Sequence, residues 1–163
     1  MNILITGITG FIGGHLCQKL IDERRHDIVA LVRPQTKKER YERFVKEVQI
    51  VETALTDEEV INQIFRQHQF DCVFHIAAKR GGGASSQAEF DRSNIDAPVT
   101  LANAALKYEA KLLFCSSVGV FGTIPQQLPP TEKTPRIGDN YYHYTKIEAE
   151  KRLLALQNQG LQL

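Results

Sequence analysis

The stretch "LITGITGFIGGH", residues 4–15, sets three glycines at intervals of three directly after a short apolar run. Gly7, Gly10 and Gly13 spell G-x-x-G-x-x-G, whereas the common phosphate-binding turn of parallel sheets spells G-x-G-x-x-G. Glycine adopts the positive φ of a tight turn and lets a pyrophosphate approach the backbone. The stretch therefore predicts a strand, a phosphate-binding loop and a helix. The alternative is a tight strand-to-helix turn whose small residues serve packing only.

Apolar runs of strand length alternate with segments of helical spacing along the rest of the chain. The strand-like runs are apolar throughout, which is typical of strands covered on both faces. They occupy residues 2–6, 27–32, 48–51, 72–77 and 111–116. Helices are predicted over 11–24, over 56–67 with Thr56 as N-cap, and over a C-terminal segment that ends near Gly160. Repeated β-α units predict an α/β fold with a doubly wound parallel sheet, the Rossmann fold.

Composition excludes several classes of function. The net charge of +1 over 163 residues favours neither nucleic acid nor an anionic membrane as a partner, and no apolar run reaches the length of a membrane span. Three separated cysteines, outside any C-x-x-C pair, predict reduced thiols and a cytoplasmic location. The five histidines lack metal-ligand spacing, so no metal site is expected.

The chain ends with "LQL", residues 161–163, after the last predicted helix. These residues resemble the start of a sixth strand, and an unpaired edge on the fifth strand would be a liability in a complete protein. We therefore expect residues 1–163 to be one cofactor-binding domain, the N-terminal part of a longer enzyme whose C-terminal substrate domain is absent.

The end of the second strand bears on which dinucleotide binds. An NAD site usually places Asp or Glu about 20 residues beyond the loop, where it accepts hydrogen bonds from the ribose. This chain has "ALVRP" there, and Arg33 offers a cation for a 2′-phosphate, followed by Lys37 and Lys38. The sequence favours NADP and leaves NAD open, because Arg33 also fits a solvated loop arginine.

Acid–base residues follow the fifth strand. "SSVGVFG" comes directly off that strand, and "YHYTK" places Tyr142 and Lys146 four residues apart, on one face of a helix. A tyrosine titrates near ~10, so a base at neutral pH needs a shift of about three units, roughly 4 kcal/mol. A neighbouring ammonium favours the phenolate, and a serine hydroxyl nearby could orient a substrate oxygen.

Taken together, "ITGITGFIGGHL", "VFHIAA", "NIDAPVTLANAA", "LLFCSSVGVFG" and "YYHYTKIEAEK" occur in a specific order. The chain resembles the N-terminal part of the extended short-chain dehydrogenase/reductase superfamily, in its NAD(P)-dependent epimerase/dehydratase group. The resemblance implies that Ser117 polarises the substrate, that Tyr142 is the acid/base, and that Lys146 binds the nicotinamide ribose and lowers the tyrosine pKa.

The same resemblance implies a set of cofactor-binding residues beyond the acid–base group. They are Gly7, Thr9, Gly10, Phe11 and Ile12 at the pyrophosphate, Arg33 at the ribose phosphate, Leu55, Ala77 and Ala78 along the adenosine, and Asn94 near the active centre, with Tyr142 and Lys146. One departure is that Ala54 stands where relatives often have an Asp that contacts adenine.

The leading hypothesis is an NAD(P)-dependent enzyme that moves a hydride at a hydroxyl or keto carbon. A nucleotide-sugar epimerase, dehydratase or reductase, with a small-molecule substrate, is the expected subclass. The alternatives are a non-catalytic NAD(P)-binding sensor or scaffold, and a short protein that folds but is inactive because no substrate domain closes over the nicotinamide. A homodimer is also open.

Overall fold

A computed structural model describes residues 1–81 and 86–163. It contains five strands, β1 (Asn2–Thr6), β2 (Asp27–Val32), β3 (Gln49–Glu52), β4 (Cys72–His75) and β5 (Lys111–Phe114). All adjacent pairs are parallel, and the order across the sheet is β3-β2-β1-β4-β5. The predicted doubly wound Rossmann sheet is confirmed.

Helices connect the strands and cover both faces of the sheet. They are α1 (Phe11–Asp22), α2 (Glu58–His68), α3 (Gln87–Asp91), α4 (Ala97–Lys107) and α5 (Tyr141–Gln157). A π-helical turn, Arg92–Asp96, joins α3 to α4, and short 3₁₀ turns span Lys38–Arg40, Glu42–Phe44 and Val118–Phe121.

Alternate residues of β1 feed two separate cores. Leu4 belongs to the core under α2, α4 and α5, which also contains Phe65 and Leu153. Ile3 and Ile5 belong to the core under α1, together with residues of the 38–44 turns. Side chains of a strand point to opposite faces in turn, so a strand buried on both faces must be apolar at every position. The inner strands fit that rule except at the ends of β1 and β4, where Thr6 and His75 are buried and polar.

The outer strands are less covered than their apolar sequences suggest. Leu113 of β5 is 47% exposed, and β3 contains no fully buried residue. Beside β5, the backbone N–H of Leu112 donates to the carbonyl of Gln162 at 2.8 Å, and Leu161 is buried in the core. The terminal "LQL" thus lies next to β5, as expected for a following strand, although it makes too few ladder bonds to count as one.

A helix cap and one connecting segment differ from the sequence expectations. The N-cap of α2 is Asp57 and not Thr56, because the Asp57 carboxylate accepts the Val60 N–H at 3.1 Å. The charged run "TKKERYERFVKE", residues 36–47, predicts a solvated helix face, and the structure shows that this prediction is wrong. That segment forms two 3₁₀ turns, and it buries Tyr41 and Phe44 against α1.

The described ranges contain no helix whose length and apolar character would suffice for a bilayer crossing. Within them, too, no three His, Cys, Asp or Glu side chains gather as a metal site would require. The sequence "RGGGASS", residues 80–86, fits either a loop over the nicotinamide or a flexible connection. Residues 82–85 lie outside the described part of the chain.

The corrected cap gives a stability prediction. Asp57→Ala removes the carboxylate that satisfies the Val60 N–H, and it should lower the free energy of unfolding by about 1 kcal/mol. Thr56→Ala is the matched control and should change it little. Urea unfolding followed by circular dichroism measures both, and equal losses in the two variants would contradict the assignment of Asp57 as the cap.

Candidate active site

A cleft of about 620 Å³ opens along the carboxyl ends of the strands. In open parallel sheets this edge, at the point where strand order reverses, is where ligands bind. Its walls come from every strand end, and they comprise residues 7–13, 31–34, 36, 40, 54–56, 76–80, 92, 93, 97, 115–117, 142 and 146. Twelve of the thirteen predicted site residues therefore line one cleft, and Asn94 does not.

The glycine loop leaves no room for side chains at two positions. Gly7 has φ +83°, and a Cβ there would lie 2.7 Å from the Ala77 nitrogen. A Cβ at Gly13 would lie 2.3 Å from the carbonyl oxygen of Gly7. The loop is therefore packed backbone to backbone against both β4 and the start of α1. The bare backbone that results is a cradle of the kind a pyrophosphate requires.

The first turn of α1 faces this cradle. Gly10 is its N-cap and supplies no side-chain hydrogen bond, and the turn contains no acidic residue. The first N–H groups of a helix have no partner within the helix and carry partial positive charge. The amides of Phe11 and Ile12 are thus available to an anion, while their side chains are exposed.

Charge along the cleft is one-sided. The described residues that line it include no Asp or Glu, and its cations are Arg33, Arg40, Lys79, Arg80, Arg92 and Lys146. Arg40 donates to the carbonyl oxygen of Thr9 at 3.2 Å, which brings its guanidinium to the glycine loop. Lys37 and Lys38, the sequence-based neighbours of a phosphate, do not line the cleft. Arg40 lies beside the glycine loop instead, because the 3₁₀ turn Lys38–Arg40 reverses the direction of the chain.

The predicted acid–base residues lie together at the end of the cleft that is formed by β5 and α5. They are Ser117, Tyr142 and Lys146. Ser117 follows β5, and its hydroxyl accepts the Gly119 N–H at 3.1 Å. Tyr142 and Lys146 are one turn apart on α5. The three side chains that the sequence assigned to acid–base chemistry therefore share a wall of the cleft.

Lys146 is almost fully buried, with 1% of its surface exposed. Its ammonium donates to the carbonyl of Cys115 at 2.8 Å and stands 4.5 Å from the centroid of the Phe114 ring. Burial lowers the pKa of Lys146 to about 8, and Cys115 and Glu150 oppose the shift. The group is therefore mostly protonated at neutral pH and close to its titration point.

Comparison with known proteins shows the family of the chain. A model of the NAD dependent epimerase/dehydratase family matches residues 3–163. The chain belongs to that family. Over 161 residues it is 30% identical to the UDP-glucose 4-epimerase of Bacillus subtilis (strain 168), with 94% of this chain and 47% of the relative covered.

Solved structures agree with the family assignment. The UDP-glucose 4-epimerase of Thermotoga maritima, crystallised with UDP-glucose, is 30% identical, with a TM-score of 0.87 over 99% of this chain and 53% of that one. The UDP-glucose 4-epimerase of Stenotrophomonas maltophila, with bound NAD and formylated UDP-arabinopyranose, is 27% identical. Its TM-score is 0.85, over 100% of this chain and 50% of that one. The chain spans about half the length of the relatives it matches.

In this family member Asn94 supports the site from behind. It is buried in the π-helical turn, and its amide accepts from the Lys79 N–H at 2.8 Å and donates to the Lys79 carbonyl at 2.9 Å. It also donates to the Thr145 hydroxyl at 3.1 Å. Asn94 therefore links the loop after β4 to α5, and these three hydrogen bonds occupy its side-chain amide.

Thr6 and His75 are site-supporting residues that the sequence did not reveal as a pair. The Thr6 hydroxyl lies 2.8 Å from His75 Nδ1 and accepts the Ala77 N–H at 3.2 Å. Burial lowers the pKa of His75 to about 3, so the ring is neutral. The position of His75 on a buried strand predicts a core histidine with satisfied hydrogen bonds, but its Nε2 has no hydrogen-bond partner within the described residues.

A second cavity, of about 520 Å³, shares Ser117 and Tyr142 with the cleft. His143 lines it, and its Nδ1 lies 2.5 Å from the Asp139 carboxylate. Asp139 also accepts from the hydroxyl and the N–H of Thr123, and these bonds, with His143, lower its pKa to about 2. The Asp139–Thr123 contact joins the two ends of the loop that follows β5.

The packing of the glycine loop gives a second stability prediction. Gly→Ala inside a helix ordinarily stabilises a protein by about 1 kcal/mol. Gly13→Ala should instead destabilise it, because the new methyl meets the Gly7 carbonyl oxygen. Gly10→Ala, whose Cβ would have its nearest neighbour at 3.4 Å, is the control and should change stability less. Urea unfolding of the two variants tests the sign, and a stabilised Gly13→Ala would contradict the model of the loop.

Proposed function

We propose that the chain is the cofactor-binding unit of an NADP-preferring enzyme that acts on nucleotide sugars as an epimerase, dehydratase or reductase. The observation that carries the proposal is that Ser117, Tyr142 and Lys146 line the same cleft as the glycine loop. Relatives named UDP-glucose 4-epimerase support the substrate class.

The residues of the cleft fit a nicotinamide dinucleotide. The loop from Gly7 to the first turn of α1 would hold the pyrophosphate on backbone amides. Leu55, Ala77 and Ala78 would line the adenosine, and Lys146 would reach the nicotinamide ribose. When bound, the cofactor supplies a group that accepts and returns a hydride.

Tyr142 would take the proton of a substrate hydroxyl while the hydride leaves the same carbon, and would give a proton back in the reverse direction. Lys146 lies one helical turn from Tyr142, on the same face of α5. Ser117 would hold the substrate oxygen by a hydrogen bond. In this assignment Tyr142 and Ser117 act at the substrate oxygen, and Lys146 acts at the cofactor.

The residues that select a particular sugar are expected in the half of the relatives that has no counterpart in these 163 residues. The second cavity borders Ser117 and Tyr142 on the side away from the glycine loop. We infer that a substrate would reach the two hydroxyls from that cavity.

The preference for NADP is supported by charge at the adenosine end. Arg33 and Arg40 line the cleft there, and the described cleft residues include no carboxylate to accept bonds from ribose hydroxyls. A 2′-phosphate placed between two guanidinium groups gains charge-assisted hydrogen bonds, whereas an unmodified ribose gains little.

Cofactor titration tests this preference. NADPH should bind more tightly than NADH, and Arg33→Ala or Arg40→Ala should weaken NADPH binding by about tenfold to a hundredfold with little effect on NADH. Lys38→Ala is the control, since Lys38 lies outside the cleft. Quenching of intrinsic fluorescence or calorimetry measures the constants. Equal or tighter binding of NADH by the unaltered protein would remove the case for NADP.

Turnover tests the assignment of Tyr142. Tyr142→Phe removes one hydroxyl and should lower turnover of UDP-glucose or a related sugar nucleotide by at least about a hundredfold, with NADPH affinity nearly unchanged. Tyr144→Phe, an exposed residue of the same helix, is the control. Retained turnover in Tyr142→Phe would overturn the acid/base assignment. The assay uses the full-length enzyme, and a full-length protein that binds NADPH and turns over no sugar nucleotide would favour the non-catalytic alternative.

A further inference from the structure

Two side chains of α5, one turn apart, hold two consecutive residues at the end of β5. Lys146 donates to the carbonyl of Cys115 at 2.8 Å, and Glu150 accepts from the hydroxyl of Ser116 at 2.5 Å. Ser117 is the next residue along the chain. The position of the proposed substrate-binding serine is thus set from α5 through a lysine and a glutamate.

The second oxygen of Glu150 ties this pair to the loop that follows β5. Arg136 of that loop donates to it through Nε at 2.5 Å, and to the Glu132 carbonyl at 3.2 Å. The Glu150 side chain is only 16% exposed, so little water screens its charge. The Glu150 carboxylate therefore divides its interaction between Arg136 and the interior of the site.

The charges that face Lys146 can be named element by element. His75 of β4 is neutral, and Cys115, which directly follows β5, offers its carbonyl oxygen. On α5 itself stand Tyr142 and Glu150, at four residues before and after Lys146, which are neighbouring positions on a helix face. The described residues that line the cleft with Lys146 contribute no further carboxylate, and their cations are Arg33, Arg40, Lys79, Arg80 and Arg92. Glu150, one helical turn from Lys146, is the carboxylate whose charge favours the buried ammonium.

We propose that Glu150 is a positioning residue that keeps the Lys146 ammonium charged and fixes the Ser116–Ser117 segment, and that Arg136 weakens this hold by sharing the Glu150 carboxylate. A movement of the loop that withdraws Arg136 then leaves the carboxylate to act on Lys146 alone. The charge of Lys146 is thereby coupled to the position of the loop. The bearing of this charge on catalysis rests on the function proposed above, whereas the coupling of charges does not.

Two substitutions should shift the pKa of Lys146 in opposite directions. Glu150→Gln keeps an oxygen for the Ser116 hydroxyl and removes the negative charge, so the pKa of Lys146 should fall below its value of about 8, by about one unit. Arg136→Met removes the competing cation, so that pKa should rise. Below the pKa the lysine is charged, so the first variant loses the ammonium at a lower pH than the wild type.

The experiment is an NMR titration of the protein labelled with ¹³Cε-lysine, between about pH 6 and pH 11. The Lys146 signal is the one absent from Lys146→Arg. Glu148→Gln is the matched control, because Glu148 pairs with Arg152 at 2.8 Å on the same helix, and it should leave the Lys146 pKa unchanged. Circular dichroism confirms that each variant is folded.

An unchanged Lys146 pKa in Glu150→Gln, or an equal fall in Glu148→Gln, would overturn the role of Glu150. If the pKa of Lys146 does not rise in Arg136→Met, the sharing of the carboxylate is overturned. This test remains valid even if Glu150→Gln fails to fold. The titration needs neither cofactor nor substrate. A protein without turnover that gives the expected shifts would therefore reject the proposed function alone.

Discussion

The approach of the glycine loop to its neighbours is the constraint on which the cleft depends. At Gly7 and Gly13 the backbone meets other backbone at distances that exclude any side chain. This contact brings the end of β1, the end of β4 and the start of α1 together at one point. The floor of the cleft is consequently made of peptide groups, which can donate hydrogen bonds to an anion without a flexible side chain having to be ordered first.

A second constraint is electrostatic. A buried ammonium is costly unless its hydrogen bonds are satisfied and its charge is compensated. At Lys146 a peptide carbonyl, an aromatic face and a carboxylate one turn away share that task. The compensation is incomplete, and the lysine stays close to its titration point near neutral pH. Such perturbed groups cluster at functional sites, and this one lies beside Tyr142 in the cleft.

The sequence revealed those parts of the molecule that periodicity and local motifs encode. The inner strands, the glycine loop and the spacing of Tyr142 and Lys146 were predictable because each depends on residues near in sequence. The role of Arg40 was not, since it depends on 3₁₀ turns that have no apolar period. Asn94 was placed at the cofactor, but its amide is saturated by Lys79 and Thr145, and the latter lies 51 residues away in the chain. Glu150 was hidden for the same reason, because its partners are Ser116 and Arg136.

The polar ends of β1 have a consequence for how the sheet is aligned. In a strand buried on both faces, a slip of one residue exchanges one apolar side chain for another, so hydrophobicity alone penalises it weakly. The side-chain amide of Asn2, at the first position, donates to the His68 carbonyl, and the hydroxyl of Thr6, at the last position, bonds to His75 and accepts from the Ala77 N–H. A shifted strand would leave both polar side chains without these partners. These two hydrogen-bonding residues thus fix the register of the central strand. They also decide at which residue the chain leaves the sheet and enters the glycine loop.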